Sequence, residues 1–241
     1  MNRLAVVTGG TRGIGAAISK HLKRANFSVA ALYVNNDIAA SEFAESTGIS
    51  IFKFNVGDFR QCQEGIRMIQ SDMGGPIDVL VNNAGITKDG VMHKMSLEQW
   101  QSVIQNNLSS CFNMTRGVIE GMREREYGRI VNLSSANAQS GQFGQTNYAA
   151  SKAGILGFTK ALALENARYH ITVNALASGY VNTNMADSIS EEVKEKIIST
   201  IPMGRFAEPD EIARCVEFLV DEKSEYITGS TFSINGGVRM E

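Results

Sequence analysis

With 241 residues, 43% of them hydrophobic, the chain can bury a full core and fits one α/β domain, 1–241, better than two. A formal net charge of -2 excludes any global attraction to nucleic acid or to an anionic membrane. No apolar run approaches the length of a membrane span, no leader precedes the first strand-like run, and three scattered cysteines, Cys62, Cys111 and Cys215, suit reduced thiols in a cytoplasm.

Leu4 to Val7 is an apolar run too short for a helix, and Thr8-Gly9-Gly10-Thr11-Arg12-Gly13-Ile14-Gly15 follows at once. Helical spacing then resumes at Ile14, Ala17, Ile18, Leu22 and Ala25. A glycine turn between strand and helix is informative because the helix N-terminus offers free N–H groups to a pyrophosphate, and glycine lets backbone approach it closely. The spacing of Gly9, Gly13 and Gly15 departs from the commoner G-x-G-x-x-G. Ser28 to Tyr33 reads as the second strand, ending in Val34-Asn35-Asn36 with Asp37 beyond. An acid that takes ribose hydroxyls is expected about 20 residues after the glycine loop. Its absence at the strand end, with Arg12 inside the loop, favours NADP over NAD, and Asp37 is expected to cap the next helix.

Ile51 to Val56 is read as strand three, Asp58 as the start of a helix bearing Cys62, Ile66 and Ile69, and Asp78 to Val81 as strand four. This alternation of apolar strands and helices predicts a parallel sheet covered on both faces. Asn82-Asn83-Ala84-Gly85 falls at the strand's C-terminal edge, where ligands of such sheets bind, although the same residues also make an ordinary turn. A long helix is predicted from near Ser96, with an apolar stripe of Trp100, Val103, Ile104, Leu108 and Phe112, and Trp100 in the core. Asn106 and Asn107 interrupt it; asparagine is a poor helix former, so at least one should have a polar partner. Arg129 to Leu133 is strand five and delivers Ser134 and Ser135 to the same edge as the glycine loop.

Tyr148 opens a helical run marked by Ala149, Ala153, Leu156, Ala161 and Leu164, and Lys152 lies four residues on. Side chains at i and i+4 share a helix face, so a phenol and an ammonium meet at one point. A phenol with a reference pKa near ~10 is a sluggish acid at neutral pH, and a cation close by in a partly dry cleft favours its ionised form. Such a pair is also commonly a solvated surface pair. Ile171 to Leu176 is strand six, Ser178 to Ala186 a polar loop and Glu191 to Thr200 a charged amphipathic helix. Pro202 to Glu208 breaks the pattern, as a mobile cover over a cleft would. Pro209-Asp210-Glu211 starts another helix, and Thr231 to Ile234 is the last strand. His21, His93 and His170 stand apart from one another and from the cysteines, so no protein-ligated metal is expected.

Taken together, these parts resemble the short-chain dehydrogenase/reductase family along essentially the whole chain. The carrying motifs are Thr8-Gly9-x-x-x-Gly13-x-Gly15, Asn82-Asn83-Ala84-Gly85, Asn107 before Leu108, Ser135 and Tyr148-x-x-x-Lys152. The resemblance implies an α/β fold of Rossmann type, a doubly wound sheet of seven parallel strands with helices on both faces. It also implies that Tyr148 is the general acid–base and that Lys152 supports it and holds the nicotinamide ribose. Ser135 would bond the substrate carbonyl and Asn107 anchor a water that relays protons. NADPH would contact Gly9, Thr11, Arg12, Gly13, Ile14, Gly15, Asn35, Asn55, Val56, Asn83, Ala84, Gly85, Val181 and Thr183, besides Tyr148 and Lys152.

Within the family, Gly141-Gln142-Phe143-Gly144-Gln145-Thr146-Asn147-Tyr148, Asn83-Ala84-Gly85-Ile86-Thr87-x-Asp89 and Gly179-Tyr180 are similar to the acetoacetyl-CoA reductases of polyhydroxybutyrate synthesis. These are relatives of the 3-oxoacyl-acyl-carrier-protein reductases of fatty-acid synthesis. The similarity implies an acyl pocket lined by Asp89, Gln142, Phe143, Gln145 and Tyr180, beside Ser135 and Tyr148. The implied reaction is NADPH-dependent reduction of acetoacetyl-CoA to (R)-3-hydroxybutanoyl-CoA, with a carrier-protein thioester as the alternative and a non-catalytic dinucleotide-binding regulator as a remote one. A carrier protein would need a basic rim, for which Lys88, Lys94, Arg123, Arg125 and Arg129 are candidates. Ser178 and Asn235 stand where the family commonly has Pro and Asp. The family tends to homotetramers built on the long helices after strands four and five.

Overall fold

The computed structural model describes residues 2–183 and 190–240. Seven parallel strands form one sheet in the order β3-β2-β1-β4-β5-β6-β7. They are β1 Leu4–Val7, β2 Ser28–Tyr33, β3 Ser50–Lys53, β4 Ile77–Asn82, β5 Gly128–Ser135, β6 Ile171–Ser178 and β7 Thr231–Ile234. The order reverses between β1 and β4, so a crevice opens at the C-terminal ends of those two strands, where such sheets bind ligands.

Side-chain alternation explains why both faces are covered. Leu4, Val6, Ala30, Leu32, Leu80 and Ile130 enter one core with α3 (Phe59–Met73), α5 (Ser110–Glu124) and α7 (Thr146–Asn166). Their neighbours Ala5, Val7, Val29, Ala31, Val79, Val81 and Val131 enter the other, against α1 (Gly13–Arg24), α2 (Asp37–Thr47) and α9 (Pro209–Val220). Fully burying an Ile or Leu such as Ile18 or Leu22 contributes about 1.5–3 kcal/mol, and both are 0% exposed, so α1 is fastened firmly behind the glycine loop.

Several elements differ from expectation. Strand three stops at Lys53, because Asn55 and Val56 leave the ladder: Asn55 Oδ1 accepts from the Gly57 N–H at 2.9 Å and turns the chain into α3. Asn36, not Asp37, caps α2, accepting from the Ala39 N–H at 3.1 Å, while Asp37 pairs with Lys53 at 2.7 Å. The long helix after strand four is broken into α4 (Leu97–Ile104), a π turn over Gln105–Ser109, and α5. A π turn adds a residue and rotates everything after it. The buried line therefore runs Val103, Asn107, Cys111, Met114, Val118 and Met122, and Phe112 is 52% exposed, stacked on Phe59. Trp100 is half-buried rather than in the core.

Helix α7 forms where the spacing placed it, but the residues that mark the run are not its buried face. Its buried face is Ser151, Lys152, Ile155, Thr159, Leu162, Ala163 and Asn166, whereas Ala153, Ala161 and Leu164 face outward, Leu164 being 85% exposed, and Ala149 and Leu156 are half-buried. The loop expected over Ser178 to Ala186 lies outside the described residues from 184 onward. Helix α8 (Glu191–Ser199) follows. The segment read as a mobile cover, Pro202 to Glu208, is stitched down by backbone bonds: Met203 N–H to Gly236 O at 3.1 Å, Ala207 N–H to Tyr180 O at 2.9 Å and Asn182 N–H to Ala207 O at 2.8 Å.

Candidate active site

The glycine loop leaves β1 at Thr8, whose side chain binds it to the end of β4. Thr8 Oγ1 accepts from the backbone N–H groups of Asn83 and Ala84, each at 2.9 Å. Asn83 Nδ2 in turn donates to Thr8 O at 2.8 Å. A Cβ on Gly15 would collide with Gly9 O and lie 2.7 Å from Asn83 Nδ2, and one on Gly10 would lie 2.7 Å from Val7 O. The loop is thus a cradle of bare backbone at the N-terminus of α1, the arrangement that binds a pyrophosphate. Arg12 occupies the N-cap position, exposed, with no ion pair among the described residues. Thr183 reaches back over the loop: its Cγ2 would lie 3.5 Å from a Cβ on Gly13. At the end of β2, Asn35 is exposed and the nearby Asp37 carboxylate is held below its usual range, chiefly by its hydrogen bond to Lys53. The residues present therefore fit a dinucleotide with an added phosphate: a guanidinium is free and the one neighbouring acid is engaged.

Asn107 shows what the π turn is for. Its side chain accepts from the Ile86 N–H at 2.8 Å and donates to Ile86 O and Ser151 Oγ, both at 3.1 Å. Ser151 Oγ donates to Tyr148 O at 2.8 Å. A buried amide inside a helix thereby clamps the loop after β4 to the first turns of α7. Nearby, Asn147 Nδ2 donates to Lys88 O at 2.9 Å and its Oδ1 accepts from the Tyr148 N–H at 2.7 Å.

Lys152 is 5% exposed, and its Nζ donates to Leu133 O at 2.6 Å, 5.7 Å from the centre of the Tyr148 ring. Its other two N–H donors have no acceptor among the described residues, so a buried cation is presented to the cleft with bonding capacity to spare. A Cβ on Gly85 would sit 3.5 Å from that Nζ and 3.3 Å from Asn107 Oδ1, which shows how tightly the strand-four motif crowds this point. Strand β5 carries Ser135 at its last position, buried, with its Oγ accepting from the Asn137 N–H at 3.1 Å. Tyr148 is half-buried as a residue, and its hydroxyl has no hydrogen-bond partner among the described residues.

On the far side of the cleft, Asp89 Oδ2 accepts from Gln145 Nε2 at 2.9 Å, and Gly90 N–H donates to Gly144 O at 2.8 Å, joining the two loops. Burial raises the Tyr180 phenol above its ordinary value, with the Asp89 charge adding, and its ring stacks on Phe206 at 5.6 Å. Asp89, Gln145 and Tyr180 are thus gathered together. Gln142 and Phe143 are not packed on them; both are exposed, Phe143 at 87%. Sequence reasoning quoted Thr8 and Asn147 within motifs without giving either a role of its own, and missed Asn137, Ser151 and Phe206. Only the position of Ser151 inside the Tyr148 motif could have pointed to one of them.

Of the carrier-protein rim, three members stand at the wrong edge of the sheet. Arg129 is buried and bonds Gly128 O and His170 O, Arg125 bonds Ile77 O and pairs with Asp78, and Arg123 donates to Tyr169. These partners lie at or near the first residues of β4, β5 and β6, at the opposite end of the strands from Ser135 and the glycine loop. Lys88 is 3.7 Å from Glu98, and Lys94 is exposed. Asn235 packs on the residue that follows Ser178: a Cβ on Gly179 would lie 2.8 Å from Asn235 Cα, while Asn235 Nδ2 donates to Arg239 O at 2.9 Å. An aspartate has no such donor.

A family model described as Enoyl-(Acyl carrier protein) reductase matches residues 9–239. The chain is 58% identical over 238 residues to the acetoacetyl-CoA reductase of Shinella zoogloeoides, covering 98% of each chain. It is 57% identical to the acetoacetyl-CoA reductase of Paracoccus denitrificans, again over 98% of each. Similarity to the 3-oxoacyl-acyl-carrier-protein reductase of Vibrio harveyi is 38%, over 99% of this chain and 98% of the other.

Proposed function

Because the chain belongs to the short-chain dehydrogenase/reductase family, we propose that it reduces acetoacetyl-CoA to (R)-3-hydroxybutanoyl-CoA with NADPH. The observation that carries this reading is the convergence of Ser135, Tyr148 and Lys152 beside a glycine cradle, in a chain most of whose length is shared with acetoacetyl-CoA reductases.

A bound nicotinamide would supply the hydride that the carbonyl carbon needs. Every other task falls to the chain. Gly9 to Gly15 and the N-terminus of α1 would hold the pyrophosphate, Arg12 the additional phosphate, and Lys152 the ribose through its spare N–H donors. Ser135 donates a hydrogen bond to the substrate oxygen and keeps its proton, which orients the carbonyl, and Tyr148 delivers the one proton that completes the alcohol. Asn107 spends its side chain on Ile86 and Ser151, so its contribution is to hold the loop after β4 and the tyrosine helix together; any relay water would meet its backbone carbonyl. Asp89, Gln145 and Tyr180 form the wall that faces the acyl thioester.

Steady-state kinetics test the reading. Acetoacetyl-CoA with NADPH should give the highest kcat/KM, with acetoacetyl-carrier-protein and NADH both poorer. A marked preference for the carrier-protein thioester would move the chain to fatty-acid synthesis. Tyr148→Phe should lose roughly a hundred- to ten-thousandfold in kcat while retaining NADPH binding. Normal turnover in that variant would remove the phenol from the mechanism. The outward apolar face of α7, with Leu164 at its end, supports a homotetramer in which a second copy covers it. Sedimentation at four times the chain mass is expected, and a monomer would reject it. Three unpaired cysteines suit a cytoplasmic location.

A further inference from the structure

Asn137 lies outside the sequence motifs of the site, yet it joins the catalytic serine to the substrate wall. It opens the one-turn helix α6 (Asn137–Ser140), two residues after Ser135. Its backbone N–H donates to Ser135 Oγ at 3.1 Å, and its side-chain Nδ2 donates to Gln145 Oε1 at 3.0 Å. Gln145 Nε2 passes the chain on to Asp89 Oδ2 at 2.9 Å. We propose that Asn137 is a positioning residue for the thioester, one that sets the direction of the Gln145 amide and thereby the shape of the acyl pocket; this rests on the thioester reading given above.

The argument is one of donor order. A carboxylate only accepts, so Gln145 must turn its NH₂ toward Asp89, and its oxygen is then left facing the other way. That oxygen needs a donor, and the Asn137 amide supplies one. With all three members satisfied, the loop from Gly141 to Gln145 is held over the cleft before substrate arrives, which lowers the ordering cost of binding. The catalytic serine takes its bond from the Asn137 backbone instead. A lone pair of Ser135 Oγ is thus occupied, and its O–H remains to donate a hydrogen bond to the carbonyl oxygen. A change of the Asn137 side chain should therefore reach substrate affinity and leave the chemical step alone.

Asn137→Asp puts an acceptor where Gln145 Oε1 requires a donor, so the amide must turn over and present its oxygen to Asp89. The KM for acetoacetyl-CoA is expected to rise about tenfold, equivalent to about 1.4 kcal/mol, with kcat and the Kd for NADPH within about twofold of wild type. Adding Asp89→Asn moves the acid to the other end of the chain. The reversed amide then has a donor at 89 and an acceptor at 137, and KM should return to within about threefold of wild type. An unchanged KM in Asn137→Asp overturns the proposal. So does the absence of recovery in the double variant, or a parallel fall of kcat, NADPH affinity and Tm. If the wild-type protein prefers a carrier-protein thioester or another ketone, the thioester-CoA reading fails by that fact. The same KM ratios are then taken on the preferred ketone, and they decide the role of Asn137 separately.

Discussion

In the loop after β1, a Cβ on Gly15 would collide with Gly9 O, whereas in the loop before α7 a Cβ on Gly144 would meet nothing within 4 Å. Both stretches read alike in sequence, as glycine punctuated by small and polar residues, but they need glycine for different reasons. The first is defined by close approach of backbone to backbone and to Asn83, so its shape has no alternative. The second needs glycine only because φ is +77° at Gly144, and its position is set by Gly90 N–H and by the amides of Asn137 and Gln145. A rigid template suits a dinucleotide whose pyrophosphate does not vary. A loop shaped by exchangeable side chains suits an acyl group whose identity varies between relatives.

The strongest way to break this contrast is Gly15→Ala. Overpacking against backbone costs about 1–3 kcal/mol, and here it must displace the cradle itself. NADPH binding should weaken by roughly a hundredfold or more, as read by fluorescence titration. Binding that is nearly intact would mean that the cradle is plastic. Gly144→Ala is the milder counterpart. A left-handed alanine costs about 1–2 kcal/mol, so Tm should fall by about 2–8 °C while the Kd for NADPH stays put and the KM of the thioester rises. Should this variant weaken NADPH as Gly15→Ala does, the two loops are one unit and the distinction fails.

The smallest effect concerns two buried thiols, Cys62 on α3 and Cys111 on α5. Burial pushes Cys62 up to about 12, with the Asp58 charge adding, and pushes Cys111 up to about 11, where the Lys152 charge pulls the other way. Both folded values exceed the ordinary 9.0, so these thiols contribute stability that is complete below pH 9 and is lost as pH rises through the folded values. Urea melts at increasing pH should show an alkaline loss that Cys111→Ala makes shallower from the lower end. If Cys62 titrates before Cys111, the Lys152 charge is not felt where the geometry puts it.

The parts most legible from sequence were those written in short spans. The strand, glycine turn and helix at residues 4–24, the i+4 pair Tyr148 and Lys152, and the polar edge after β4 each depend on local spacing, and each is found as expected. Periodicity misled where a neighbour overrode it. One added residue in the π turn rotated the stripe of the long helix away from Phe112, because Asn107 had to reach Ile86 and Ser151. On α7 Ala153, Ala161 and Leu164 face outward, while Lys152, Ser151 and Thr159 face in beside Ile155, Leu162 and Ala163, because these polar groups find bonds on β5, Asn107 and Asn132. The arginines expected at the cleft lie at the opposite edge of the sheet, a matter of strand direction that residue type alone does not encode.

What the sequence by itself determined is the order of strands and helices, the glycine cradle and the serine, tyrosine and lysine to which the proposed chemistry is assigned. Those follow from hydrophobic period, glycine spacing and side-chain chemistry, all of which act over a few residues. Only the tertiary structure decided which face of α7 is buried and which arginines leave the site. It also placed Asn137 between Ser135 and Gln145, and Gln145 against Asp89. Each of these depends on groups tens of residues apart meeting at hydrogen-bond distance, and a buried polar group goes wherever such a partner can be found.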